Sequence, residues 1–532
     1  MFSGMKLWNE DVTRNMYLTR IGDKKLWTYK NMPRNLYEAL KKNANRMPEK
    51  AAFIDNWGRE YSYGNFIEKV DKFAQYLYEE EQIHKGDRVA LMLFNGIEFC
   101  VAYLSLTKIG AVTCPLPSKY KEPEVNALAK KAEVKLIICD RNFYSWFNDF
   151  CKEKNIERIQ VDSVEEGYGL EAYLTNGTVT ETSLPELTDD VIIMFTSGTT
   201  SVSKGVVLKN YNVMHAAYGY KGTLRLSEEE VGIIPVPIYH ITGMSALLGT
   251  FLVIGGTLVL HTKFEARRVL QAVQEYGITY IHCAPTVFVK LLDEKENFPS
   301  LPSLRVIGCG GAYIAKEKIK AYHQWLPNVK FHTIFGMTET TSPGTVFPGD
   351  MSQHQLSESC GWPIPGLACK VVDEMGEEVP NGIAGEICMS GNTITDRYLD
   401  TGNELITEDG WLHTGDVGYL TDEGFLFICD RKKDIINRGA EKVPSVDVEK
   451  AIYELDSVKE TAVVGIPHEF FGEVVAAVIS CKQGYELTEE QVKEFLSYRL
   501  ANYKIPVKIL FMENIPKTVN SKIDKKYIKT LF

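Results

Sequence analysis

A chain of 532 residues, 45% hydrophobic and 24% charged, has the composition of a globular protein and excludes a disordered chain, a collagen and a coiled coil. At about 100–200 residues per domain, the length predicts two to four domains. The formal charge of −11 divides into −13 before residue 431 and +2 beyond, because the stretch 431–532 holds 17 basic against 15 acidic residues. So acidic a chain lacks the basic face that non-specific nucleic-acid binding needs, yet leaves room for a local basic pocket around a small phosphate.

The N-terminus is polar and carries no apolar signal core, which predicts no secretion leader. Residues 66–78 space their apolar side chains as a helix does. Residues 87–93 read as a buried strand, 98–109 as a helix closed by Gly110, and 112–116 as the next strand. The same alternation returns at 135–139, 279–283 and 304–308, which predicts mostly parallel sheets covered by helices, with ligands at the strand ends. The nearly apolar run 244–260 is broken by Gly255-Gly256 and continues in β-branched residues. It predicts a buried helix, a glycine stop and a buried strand, and no integral membrane segment.

After about residue 365 the pattern changes to short strands at 370–373, 385–389 and 424–428 between Gly, Asp and Asn turns, the sign of a small antiparallel or barrel-like layer. A charged segment, Asp430-Arg431-Lys432-Lys433-Asp434, precedes a helix (445–455), strands (461–465, 474–481), a helix (488–500) and a basic tail. The expected class is α/β: a large domain over 1–430, a hinge at 431–434 and a small α+β domain over 435–532. Eleven cysteines occur singly with no CxxC pair, which predicts reduced thiols in the cytoplasm and neither a zinc nor a redox motif.

The strand 191–195 runs into Thr196-Ser197-Gly198-Thr199-Thr200-Ser201-Val202-Ser203-Lys204-Gly205. This loop offers backbone N–H groups, hydroxyls and one cation to a polyphosphate. It is not a Walker A loop, which needs Gly where Ser203 stands and Ser or Thr where Gly205 stands. Further along come Pro237-Ile238-Tyr239-His240-Ile241-Thr242-Gly243, Gly310-Gly311-Ala312, Phe335-Gly336-Met337-Thr338-Glu339 and Trp411-Leu412-His413-Thr414-Gly415-Asp416. The charged segment with Arg438-Gly439 and then Pro516-Lys517-Thr518-Val519-Asn520-Ser521-Lys522 complete the series.

In this order the segments resemble those of the adenylate-forming (ANL) superfamily, which holds acyl- and aryl-CoA synthetases, adenylation domains and luciferases. The likeness spans roughly residues 35–530. The departures are Ser201 and Ser203 in the phosphate loop, Phe335 for Tyr, Ala440 for a frequent Gly, and Ser521 for Gly. The resemblance implies a two-step reaction: a carboxylate attacks the α-phosphorus of ATP to give acyl-AMP and pyrophosphate, then a thiol takes the acyl group. It implies that Thr196, Ser197, Gly198, Thr199, Thr200 and Lys204 hold phosphates. Gly310, Gly311, Ala312, Phe335, Gly336 and Met337 would surround the nucleotide. Thr338 would contact the α-phosphate, Glu339 would hold Mg²⁺, and Asp416 and Arg431 would bind the ribose.

Lys522 is the implied catalytic cation, with Thr338, Glu339 and His240 as the other catalytic positions. Lys433 falls at the hinge about which the small domain rotates. Arg438, Gly439, Ala440, Glu441 and Lys442 would line a coenzyme A channel after that rotation. The acid pocket would involve Tyr239, His240, Ser245, residues 308–313 with Gly310, and Gly336 with Thr341 and its successors to 344. No acidic residue lies early in 237–245, as amino-acid-activating relatives have, and Ile241 replaces the Asn of dihydroxybenzoate activators. An apolar acid is therefore expected, with coenzyme A as acceptor and a carrier protein as the alternative. A non-catalytic acyl-AMP or ATP sensor is the alternative of another class. The expected partners are the acid, ATP and coenzyme A, with a carrier protein as the alternative thiol donor and no nucleic acid, on a monomer or homodimer.

Overall fold

In the computed structural model, the alternating segments of the large lobe build two mixed sheets. Residues 1–162, 169–174, 185–196, 203–399, 406–439, 441–518 and 522–532 are described. One seven-stranded sheet runs Arg397–Tyr398, Lys204–Lys209, Asp190–Thr196, Val112–Pro115, Arg88–Met92, Leu136–Cys139, Glu157–Gln160. Its last five strands are parallel, and the first two are antiparallel additions at one edge. A nine-stranded sheet carries the parallel run Lys330–Phe335, Val306–Gly310, Tyr280–Cys283, Val231–Ile234, Thr257–Leu260 and Ala51–Ile54, with antiparallel strands at both margins. The expected β-α-β repeats are therefore present, with boundaries moved by one or two residues.

The core joins inward residues of both sheets to the helices between them. Helix Ile97–Ile109 is buried on every side except at Glu98 and Lys108, as an all-apolar helix must be. Helix Leu36–Arg46 starts where the Asn35 side chain accepts from the Glu38 N–H at 2.9 Å. The apolar run reads as expected, with one refinement. Its helical part opens with a wide π-type stretch, Thr242–Gly249, passes into Thr250–Ile254, stops at left-handed Gly255 and becomes strand Thr257–Leu260. Among the described residues no helix is long and apolar enough to cross a membrane.

The expected antiparallel layer is a third sheet, ordered Phe2–Ser3, Leu367–Val372, Gly385–Gly391, Leu412–Leu420, Leu426–Arg431. Sequence reading set its last strand at 424–428. The strand instead runs to Arg431, so two residues of the charged segment belong to the sheet. The hairpin Met16–Ile21 with Lys24–Tyr29 has no counterpart among the expected elements.

Beyond Arg431 a separate core forms around Val463, Val475, Ile479 and Val492. Its sheet pairs Val458–His468 with Gly472–Cys481 antiparallel and adds Lys508–Phe511 in parallel. Helices Ser445–Tyr453 and Glu489–Ser497 end two and three residues earlier than expected.

Four histidines, His215, His261, His282 and His332, are buried. Desolvation lowers their pKa values from the ordinary 6.5 to about 4, 4, 3 and 4. Between those values and 6.5 the unfolded chain holds more protons than the folded one, so stability falls as pH falls. Lowering pH from 7 to 5.5 is expected to remove about 1 kcal/mol per histidine. Urea titrations at the two pH values check this, and unchanged midpoints would contradict it.

Candidate active site

The site residues sit where strand ends of the three large-lobe sheets meet the last residues of the small lobe. Thr196 ends one strand, and its backbone pairs directly with Lys204 at the start of the next. The two strands that flank the phosphate-loop segment are therefore antiparallel neighbours. Ser197, Gly198, Thr199, Thr200, Ser201 and Val202 lie outside the described residues, so the expectation for them stays at the sequence level. The Lys204 ammonium lies 5.4 Å from the centre of the Tyr398 ring.

In the neighbouring sheet, strands Val306–Gly310 and Lys330–Phe335 run parallel and deliver their motifs side by side. A Cβ at Gly310 would lie 2.6 Å from the Ile334 carbonyl oxygen. Gly311 has φ +85° with open space where a side chain would be. Bare backbone is thus presented to a flat group. After Phe335, the Met337 N–H donates to Thr340 Oγ1 at 3.0 Å and closes a short turn. That turn holds Thr338 half-buried, 4.0 Å from Met194 Sδ on the phosphate-loop strand, and Glu339 buried.

Glu339 is fixed on two sides. Its backbone carbonyl accepts from the Thr395 N–H at 2.8 Å, and its carboxylate accepts from the Tyr398 hydroxyl at 3.1 Å. Desolvation raises its pKa, opposed by its own backbone hydrogen bond, Tyr398, Arg431 and Lys204. A buried carboxylate in a field of cations is a fitting acceptor for a divalent ion. Tyr398 was not among the expected site residues. No motif spacing marks it, and only the fold shows that its hydroxyl and ring join Glu339 to Lys204.

The third sheet places Asp416 opposite Arg431 on paired strands, and Arg431 Nε donates to Asp416 Oδ1 at 2.6 Å. Asp416 is buried; desolvation raises its pKa while Arg431 and Lys522 pull it down. Lys522 enters from the small lobe. The Thr518 N–H donates to the Lys522 carbonyl at 2.7 Å. The side chain keeps access to solvent. Desolvation by the cleft walls and then the Arg431 charge nonetheless lower its pKa, while Asp416 and Glu339 raise it. Its charge also reaches His240, whose pKa is lowered to about 3 by desolvation first and then by Lys522 and Lys119. His240 is therefore a neutral imidazole at neutral pH. Five motifs, carrying Glu339, Asp416, Arg431, His240 and Lys522, thus bring their groups within electrostatic reach of one another.

Other expected positions are not brought there. Thr341 is fully buried and donates its hydroxyl to the Thr393 carbonyl at 2.7 Å, so that hydroxyl is spent on packing rather than on a pocket. Ser245 is fully buried within the π-type stretch, and its Oγ has no partner among the described residues. The Tyr239 and His240 rings lie 4.5 Å apart. The group expected along a thiol channel faces elsewhere. Arg438 stacks on Phe471 at 4.4 Å, Gly439 donates to the Phe471 carbonyl, and Lys442 pairs with exposed Glu374 at 2.7 Å. Glu441 is exposed on the same hairpin, and Ala440 lies outside the described residues. Lys433 is exposed in a turn whose hydrogen bonds are donated by Lys432, Asp434 and Ile435.

Comparison with known proteins agrees with this geometry. The family model described as AMP-binding enzyme matches residues 40–399, and that for the AMP-binding enzyme C-terminal domain matches 447–522. The crotonobetaine/carnitine–CoA ligase of Proteus mirabilis is 30% identical over 88% of this chain and 93% of its own length. The 2-succinylbenzoate–CoA ligase of Bacillus cereus is 30% identical over 91% of this chain and 96% of its own. The crystal structure of ATP-bound MatB from Rhodopseudomonas palustris, 26% identical, aligns over 93% of this chain and 98% of that one with a TM-score of 0.86. The apo structure of the same protein aligns with a TM-score of 0.77, so the arrangement here is nearer to the ATP-bound form. The chain belongs to the AMP-binding enzyme family and, within the adenylate-forming superfamily, to its AMP-forming acyl- and aryl-CoA synthetases.

Proposed function

We propose that this ligase activates an apolar carboxylic acid and hands it to coenzyme A. The reading is carried by the Lys522 charge acting on Asp416 and His240, and by the Arg431, Asp416 and Glu339 charges acting on Lys522. In the proposed first step, Lys522 places its positive charge between the incoming carboxylate and the α-phosphate, where negative charge develops. Thr338 offers a hydroxyl to the same phosphate. Glu339 holds Mg²⁺, which when bound offsets phosphate charge. Asp416 accepts from the ribose hydroxyls while Arg431 fixes its orientation. Gly311 gives the adenine room to lie against backbone. His240, neutral and tucked beside Tyr239, packs against the acyl group without adding a charge.

The apolar acid rests on the absence of acidic residues in 237–245 and on Ile241. The named relatives act on acids as unlike as crotonobetaine and 2-succinylbenzoate. At 30% identity neither name carries over. Coenzyme A is favoured over a carrier protein because the relatives' names are those of CoA ligases. A cytoplasmic setting is the one we favour, since the cysteines are free thiols. The test is pyrophosphate release with ATP and Mg²⁺ over short, medium, aromatic and steroid acids, followed by CoA or a carrier protein as acceptor. Release with polar acids alone would refute the apolar reading.

Asp416→Ala is expected to weaken ATP binding by about 2–3 kcal/mol, the scale of hydrogen bonds to a charged group. Calorimetric titration of ATP reads it directly. An unchanged affinity would remove Asp416 from the ribose.

A further inference from the structure

Asp430, the residue before Arg431, is buried at the end of the large-lobe strand. One carboxylate oxygen accepts from the Arg431 N–H at 2.7 Å. The other accepts from both the N–H and the hydroxyl of Ser445, the latter at 2.6 Å. Ser445 opens the first helix of the small lobe and is completely buried. Its Oγ also receives Lys525 Nζ, and Lys525 reaches Glu449 Oε1 at 2.8 Å. Glu449 in turn accepts from the Val463 N–H at 2.9 Å. Burial alone would lower the Lys525 ammonium, but Glu449 and Asp430 outweigh it and hold the group above its ordinary value. The chain is therefore continuous: large-lobe carboxylate, small-lobe serine, tail lysine, small-lobe glutamate.

Lys525 opens the short terminal helix Lys525–Lys529, three residues beyond Lys522. Ile528 of that helix is buried with Ala462, Val464 and Ile515. The tail is thus held at Ile528 by apolar packing and at Lys525 by charge, and Lys522 projects just ahead of both. Resting on the reading of Lys522 given above, we propose that Asp430, Ser445, Lys525 and Glu449 form a clasp between the lobes, and that Lys525 is a positioning residue that aims Lys522 into the cleft. Asp430 precedes the turn at 431–434 and Ser445 follows it. Any rotation of the small lobe about that turn separates them, so the clasp exists only in the docked arrangement. Asp430, Ser445 and Glu449 are buried, Lys525 is half-buried, and the four are hydrogen-bonded in series, which makes the contact directional rather than a loose surface attraction.

The test compares Lys525→Met, Lys525→Arg, Ser445→Ala and Lys522→Ala in the full chain. Each is assayed with the panel acid that gives the fastest wild-type pyrophosphate release, and separately with its supplied acyl-AMP and CoA. Lys525→Met is expected to lower kcat of the first half-reaction by about a hundredfold, the scale of a 1 Å misplacement. Its KM for ATP should stay near wild type because Asp416 and Arg431 are untouched, and it should retain the second half-reaction. Lys525→Arg restores most of the loss. With ATP and Mg²⁺ bound, trypsin nicking after Lys432 and Lys433 rises in both Lys525→Met and Ser445→Ala. An unaltered first half-reaction in Lys525→Met, alongside its loss in Lys522→Ala, overturns the clasp and leaves the reading of Lys522 standing. An intact first half-reaction in Lys522→Ala overturns that reading and the clasp with it. Equal loss of both halves without rescue by arginine means general damage and also overturns the proposal.

Discussion

Lys522→Ala is expected to cut acid-dependent pyrophosphate release by about 10²–10³-fold, the scale of removing one preorganised charge donor from a developing oxyanion. Conversion of supplied acyl-AMP to thioester should survive. The asymmetry follows from position. Lys522 reaches the cleft from the small lobe, into a setting already prepared by Asp416, Arg431 and Glu339. The neighbouring lysines do not substitute for it: Lys517 is paired with Glu460 at 2.9 Å and Lys525 with Glu449. Lys522→Arg should not restore the rate, because a planar guanidinium cannot occupy the place of a compact ammonium beside Arg431. Rapid-quench measurement of each half-reaction separates the outcomes. Equal loss in both would assign Lys522 to general structure.

Lys433→Pro is expected to have the opposite asymmetry: adenylation near wild type, and thioester formation reduced by about a hundredfold or more if closure and reopening of the small lobe gate that step. Proline fixes φ near −65° and restricts the residue before it. The turn loses no hydrogen bond, since Lys432, Asp434 and Ile435 donate its bonds and Lys433 does not. A stability change large enough to explain the loss is therefore not expected, and thermal unfolding provides the control. Thioester formation at the wild-type rate would place the pivot elsewhere in 431–444.

The two substitutions bear on different kinds of sequence information. Continuous apolar runs such as 89–92 and Leu136–Cys139 announce themselves because a strand buried on both faces needs no polar residue. The hairpin Met16–Ile21 with Lys24–Tyr29 escapes such reading because Tyr17 and Leu18 are both exposed and spoil its alternation. Strand Leu412–Leu420 alternates perfectly between buried and half-buried positions. Its two glycines and one aspartate still suggest a turn, although Asp416 pairs with Arg431 within the sheet.

The site motifs are legible one by one, since each needs particular residue types at a fixed spacing. What the spacing does not contain is their meeting. Tyr398 looks like any strand aromatic. Asp430, Ser445, Glu449 and Lys525 look like ordinary solvated positions until tertiary burial removes the water. Thr341 failed as a pocket residue for the same reason: the packing of residues 391–396 claims its hydroxyl.

The small lobe carries Lys522 on one flank and the hairpin Ile436–Arg438 with Glu441–Val443 on another, where Lys442 is tethered to Glu374. One rigid body cannot show both flanks to a single opening at once. On the function proposed above, activation and transfer would take turns like travellers through a turnstile, and the cycle time would be the sum of two waits. Tightening the grip in either pose shortens one wait and lengthens the other. The fastest version of this protein is accordingly one whose small lobe holds neither position too well.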